Sequence, residues 1–93
     1  MKYLLFFVLI FLFISTTLFS QSLIDSLETQ LINAKEKERA NILASLVHEY
    51  RNIDPQKAIE YGEESLTMID GLDSEMRKAV FFNDLGWAYN NQK

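Results

Sequence analysis

A ten-residue pattern in this chain recurs 39 positions later. Leu43-Ala44-Ser45-Leu46-Val47-His48-Glu49-Tyr50-Arg51-Asn52 aligns with Phe82-Asn83-Asp84-Leu85-Gly86-Trp87-Ala88-Tyr89-Asn90-Asn91. Both read as large apolar, two residues, Leu, small or apolar, two residues, Tyr, one residue, Asn. Spacings of three and four put the shared apolar positions on one side of a helix. A period of this length built from a helix pair signals a solenoid, whose units bury their apolar faces on one another. The size of the chain reinforces that reading, because 93 residues make one small domain at most. Domains near this size bury only about 60% of their unfolded surface and lean on disulfides, metals or neighbours. The chain has no cysteine, which excludes disulfides, thiolate metal sites and cysteine nucleophiles.

The N-terminus has a different composition. Of the first 20 residues 15 are apolar, against 30 of the remaining 73, so the overall 48% describes neither part. Lys2 precedes twelve uninterrupted apolar residues from Tyr3 to Ile14, followed by the smaller Ser15-Thr16-Thr17-Leu18-Phe19-Ser20. One cation, a short apolar run and a small residue at its end form the layout of a signal peptide over residues 1–20. The expected cut is between Ser20 and Gln21, which makes the product exported; the resemblance given below implies the periplasmic or extracytoplasmic side of a bacterial membrane. A spanning helix needs about 20 apolar residues. Extending the segment to Phe19 gives 17 and describes the alternative, an uncleaved anchor. Nine Lys and Arg against thirteen Asp and Glu give a net charge of −4, or −5 once Lys2 is removed, a balance that argues against nucleic acid as a partner.

Beyond Ser22 the chain has one proline, three glycines and no alternating run of strand length, so the fold class is all-α. Residues 21–38 hold an N-terminal helix with Leu23, Ile24, Leu27, Leu31 and Ala34 as its stripe and Ser22 as its N-cap. The polar run Lys35-Glu36-Lys37-Glu38-Arg39 then reads either as a solvated helix or as a turn. Residues 39–72 form a first helix pair. Leu43, Leu46, Val47 and Tyr50 share one face of its first helix, and Asp54-Pro55 starts its second, with Asp54 as cap and Pro55 at the first helical position. That second helix carries Ala58, Ile59, Gly62, Leu66 and Ile69 and stops near Gly71, read as a left-handed terminator. Residues 73–93 form a further helix, capped by Asp73 or Ser74, with Val80, Phe82, Leu85, Gly86 and Tyr89 along it.

Phe82, Leu85-Gly86 and Tyr89, with the small residues Ala58, Gly62 and Ser65 on the second helix of the pair, resemble the tetratricopeptide repeat (TPR) family over about residues 39 to 93. The likeness implies an incomplete right-handed solenoid of antiparallel helix pairs, about one and a half repeats, continued by further repeats after Lys93. Three features depart from the family pattern. Val47 stands for the glycine in the first copy, the turn before Asp54 is one residue short, and the link from Leu66 to Arg77 is long. The segment Tyr50-Arg51-Asn52 with Asp54-Pro55-Gln56-Lys57-Ala58, behind a leader and a lone helix, is similar to the sensory regions of bacterial two-component histidine kinases or related regulators. That implies a protein-protein interaction module in signalling. The alternative is a structural subunit of a cell-envelope assembly without kinase activity.

No catalytic constellation is present, and no cofactor is implied. His48-Glu49-Tyr50-Arg51 approaches a kinase phosphoacceptor box, but Asn52-Ile53-Asp54 intervene before Pro55. A zinc-protease motif needs a second histidine, and the chain has one. Glu60, Glu63 and Glu64 read as a solvated helix face, and no glycine-rich phosphate loop occurs. A binding surface is the better expectation. In the TPR family the first helix of each pair lines a concave groove. The row beside the first stripe is Asn41, Ala44, His48 and Arg51, and the matching row is Val80, Asn83, Trp87 and Asn90. A cation, a titratable ring, an aromatic and three amides suit an extended peptide with an acidic or aromatic side chain. The competing reading is that these residues are merely solvated or covered by the first helix.

Overall fold

A computed structural model describes residues 2–92, with the side chains of residues 3–10 and 21–92. It is all-α: α1 covers Lys2–Asn33, α2 Glu36–Tyr50, α3 Pro55–Leu66 and α4 Glu75–Asn91, with a 3-10 turn at Ile69–Gly71 before α4. Helix α1 runs unbroken through position 22, so Ser22 is not an N-cap. The stretch from Lys2 to Asn33 contains neither glycine nor proline, and nothing in it halts propagation once the helix has started. The expected cut therefore falls within a helix, and the Ser20 side chain lies outside the described residues. Residues Tyr3 to Ile10 are exposed on every side. Among the described residues no helix is long and apolar enough to cross a membrane.

The polar run is mostly helix. Only Ala34 and Lys35 separate α1 from α2, and the reversal is taken up by Glu36, whose φ of 54° lies in the left-handed region. The next boundary matches the sequence reading. The Asp54 side chain accepts from the Lys57 backbone N–H at 3.2 Å, and Pro55 occupies the first turn of α3. Helix α3 ends at Leu66, earlier than expected, and leaves Ile69 in the 3-10 turn. No glycine has positive φ, so Gly71 is not a left-handed terminator. Its bare α-carbon permits close approach to α2 instead, since a Cβ there would lie 3.1 Å from the Ala40 Cβ. Ser74, rather than Asp73, caps α4 by accepting from the Arg77 N–H at 3.1 Å.

The core lies between α2 and α3 and extends to α1 and α4. Leu43, Leu46 and Val47 are fully buried and Tyr50 nearly so, as their spacing predicts. Helix α3 runs antiparallel to α2: Arg39 near the start of α2 pairs with Glu64 near the end of α3, and Tyr50 stacks on Tyr61 with ring centres 5.9 Å apart. From α1, Ile24 and Ala34 enter the core while Leu27 and Leu31 pack at its edge. Glu28 fastens α1 to the pair, accepting from the Tyr50 hydroxyl at 2.8 Å and the Tyr61 hydroxyl at 2.6 Å, with Lys57 Nζ at 3.5 Å.

Helix α4 departs most from its expected stripe. Its buried residues are Phe81, Asp84, Leu85 and Ala88, whereas Val80, Phe82 and Tyr89 are exposed and Gly86 has no heavy atom within 4 Å of where its Cβ would be. The apolar residues of α4 belong to two faces, and α3 covers only one. Leu85 is seated on Gly62, where an added Cβ would come within 2.5 Å of Leu85 Cδ1. Glycine at 62 thus makes room for a neighbouring helix, and glycine at 86 does not.

Candidate interaction groove

Helices α2 and α4 lie side by side and run in the same direction. Their cross-links advance together along both: Asn41 O and Ser45 Oγ accept from Arg77, His48 meets Asp84, and Asn52 meets Trp87 and Asn91. Asn52 and Asn91 are repeat equivalents, 39 residues apart, and the Asn91 amide donates to Asn52 Oδ1 at 3.3 Å. The recurring Asn of the motif is therefore itself a contact between successive copies.

This seam uses much of the row expected to face a partner. The Asn41 amide donates to Lys37 O at 2.8 Å and Gly71 O at 3.3 Å, which ties the start of α2 to the turn before α4. Arg51 donates to His48 O at 2.8 Å and stands 3.6 Å from the Asp84 carboxylate. The Trp87 ring is half-exposed, but its indole N–H donates to Asn52 Oδ1. Asn83 and Asn90 are exposed, and neither borders the cavity described below. Ala44, His48 and Val80 remain, and all three border one cavity.

That cavity, about 360 Å3, is open on one side and walled by three helices. Leu23 and Leu27 of α1 form its apolar side, with Val80 and Phe81 of α4 opposite. Ala44, Ser45, His48 and Glu49 of α2 lie between them, and Arg77 and Asp84 complete the α4 wall. Asp84 is only 4% exposed, which makes it the buried carboxylate of the seam. Its Oδ2 is 2.9 Å from His48 Nδ1, and that same nitrogen is 2.6 Å from Arg51 Nη1. A ring nitrogen carries either a proton or a lone pair, so His48 donates to Asp84 or accepts from Arg51, one at a time.

Arg77 is the unsatisfied charge of the cavity. Its two bonds go to neutral oxygens at 3.3 Å, its Nε is buried without a partner, and no carboxylate pairs with it among the described residues. Neither Asp84 nor Arg77 belongs to the rows read from sequence. The signal for Asp84 was present, because a carboxylate three residues after Phe81 and four before Ala88 sits on an apolar stripe and needs a partner when that stripe is buried. Among the described residues no group of His, Asp and Glu is arranged to hold a metal. Compared with protein-family models, with curated proteins and with solved structures, the chain matches none.

Proposed function

We propose that the chain is an exported helical-repeat module of the TPR type whose groove binds an extended peptide bearing an acidic side chain next to an apolar one. We place it at the start of the sensory region of a bacterial two-component signalling protein. The observation that carries the binding reading is Arg77, a partly buried cation with no carboxylate partner among the described residues, in the wall of a cavity between α1, α2 and α4. A peptide carboxylate there gains a charge-assisted bond, and the adjoining apolar side chain is covered by Leu23, Leu27 and Val80. Arg51, the cation expected from sequence to read the peptide, already serves Asp84. The signalling placement rests on the leader and on the Tyr50-Arg51-Asn52 and Asp54-to-Ala58 resemblance.

An immobilised peptide array, varied in acidic and apolar residues, tests the reading. Binding is expected to require Asp or Glu beside Leu, Ile or Phe. The loss of a charge-assisted bond of about 1.5–3 kcal/mol makes Arg77→Ala weaken it by about 10- to 100-fold, with Asn83→Ala unchanged. Indifference to the acidic residue, or undiminished binding by an Arg77→Ala chain of unaltered helicity, would refute the groove assignment.

A further inference from the structure

The cavity holds a second unpaired charge, opposite in sign to Arg77. Glu49 borders it and is half-buried, and among the described residues its carboxylate has neither an ion pair nor a hydrogen bond. Ser45, whose hydroxyl accepts from Arg77, precedes Glu49 by one turn of α2, and a four-residue step is a rise of about 6 Å. The cation and the anion therefore stand one turn apart along the α2 floor of the groove, and no ion pair joins them. The other carboxylate in the wall is already used, since Asp84 is almost fully buried and meets His48 and Arg51. Above the floor, Leu23 and Val80 are the exposed edges of the two apolar walls.

We infer that the peptide this groove takes carries a basic side chain two residues from its acidic one, with the apolar residue between them, so that Glu49 reads the base while Arg77 reads the acid. The inference rests on the groove reading given above and adds a second charge to it. In an extended chain residues i and i+2 face the same way and stand about 6.6 Å apart, which matches the one-turn offset of the two wall charges. The residue between them faces the other way, toward the edges formed by Leu23 and Val80. A helical ligand does not present i and i+2 together, so the spacing selects an extended one. The second charge matters because a bound peptide covers the floor as a whole. An acidic peptide without a base satisfies Arg77 but takes Glu49 out of water unpaired, and burying a lone carboxylate is costly. A dipolar ligand pairs both charges and avoids that penalty.

Fluorescence anisotropy of labelled, end-capped peptides, read with the full chain in mild detergent, provides the test. Their central residues are Asp-Leu-Lys or Lys-Leu-Asp, each with one control in which Gln replaces Lys and another in which Asn replaces Asp. The better of the two dipolar orders is expected to bind roughly three- to tenfold tighter than its Gln control, an advantage that shrinks as ionic strength rises. Glu49→Gln should erase that advantage, and Glu49→Lys should transfer it to a peptide with Glu in place of Lys. Both variants should keep the wild-type helicity, because the Glu49 carboxylate makes no contact that the substitutions remove. Equal binding of the dipolar peptides and their Gln controls, or an advantage that survives Glu49→Gln, would overturn the inference and leave recognition of the acid by Arg77 standing. Equal binding of the Asn controls would instead remove the groove reading, and the inference with it.

Discussion

Replacing Glu28 by Ala removes the fastening between α1 and the α2–α3 pair. The carboxylate accepts from two tyrosine hydroxyls at 2.8 and 2.6 Å and lies 3.5 Å from Lys57 Nζ. Hydrogen bonds to charged groups contribute about 1.5–3 kcal/mol each. The Glu28 side chain is 30% exposed and the lysine more so, which assigns the low end of that range to each hydroxyl bond and little to the ion pair. The expected loss is about 2–3 kcal/mol, a large share of the 5–15 kcal/mol typical of a small domain. At about 4–8 °C per kcal/mol for a domain of 60–100 residues, the melting temperature should fall by more than about 8 °C.

The same cluster shapes the pH profile at both ends. The Tyr61 hydroxyl bond holds the Glu28 carboxyl below its ordinary value, against the opposing effect of burial. A depressed folded pKa contributes stability that is present above the unfolded value and lost as pH falls through the folded one, so the acid flank lies below about pH 4.5. Burial first, and then the bond to Glu28, raise Tyr61 and Tyr50 above 10.0. Their contribution is complete below pH 10.0 and declines as pH rises above it. Thermal melts by circular dichroism from pH 3 to 11 should show a plateau with both flanks for the wild type. Glu28→Gln should have a flatter acid flank, and Tyr61→Phe should be flatter on both. A Glu28→Ala chain within about 0.5 kcal/mol of wild type, or an acid flank unchanged in Glu28→Gln, would refute the assignment of the cluster as the fastening of α1.

Glu36 adopts φ 54°, where glycine carries no Cβ penalty, so Glu36→Gly should stabilise the chain by about 0.5–1 kcal/mol in denaturant unfolding. The two helical glycines should respond in opposite directions in the same assay. Gly86→Ala gains up to about 1 kcal/mol of helix propensity with nothing to displace. Gly62→Ala gains the same but must move the buried Leu85 from 2.5 Å, an overpacking cost of about 1–3 kcal/mol that leaves it neutral to destabilised.

The parts of the fold legible in the sequence are those whose signal is local. The Asp54-Pro55 start of α3 depends on a side chain reaching a backbone N–H three residues away, and the stripe of α2 depends on one covered face. Helix α4 misled the reading because periodicity reports which residues are apolar and not which neighbour covers them. Phe81 and Phe82 are adjacent and equally apolar, yet one is 1% and the other 52% exposed. Gly71 misled it for a related reason, since glycine is required for close approach as well as for positive φ. The site followed the same division. Of the expected row Ala44 and His48 border the cavity, but Arg77 and Asp84 could be recognised only once α4 had been set against α2 at a definite register.

That register explains why a carboxylate is tolerated in the seam. Two parallel helices with similar apolar stripes can slide by a turn and still bury leucine on leucine, so apolar packing alone discriminates poorly between registers. One turn is a displacement of about 5.4 Å. Asp84 is 2.9 Å from His48 and 3.6 Å from Arg51, and such a slip would pull a nearly buried carboxylate off His48 and break the two-sided contact. The Asn52–Asn91 and Trp87–Asn52 bonds at the far end of the seam would break in the same movement. Breaking a buried ion pair is penalised far more than forming it is rewarded. The polar seam therefore acts chiefly against the wrong registers, and it is the correct register that leaves Arg77 beside the cavity with no carboxylate partner among the described residues.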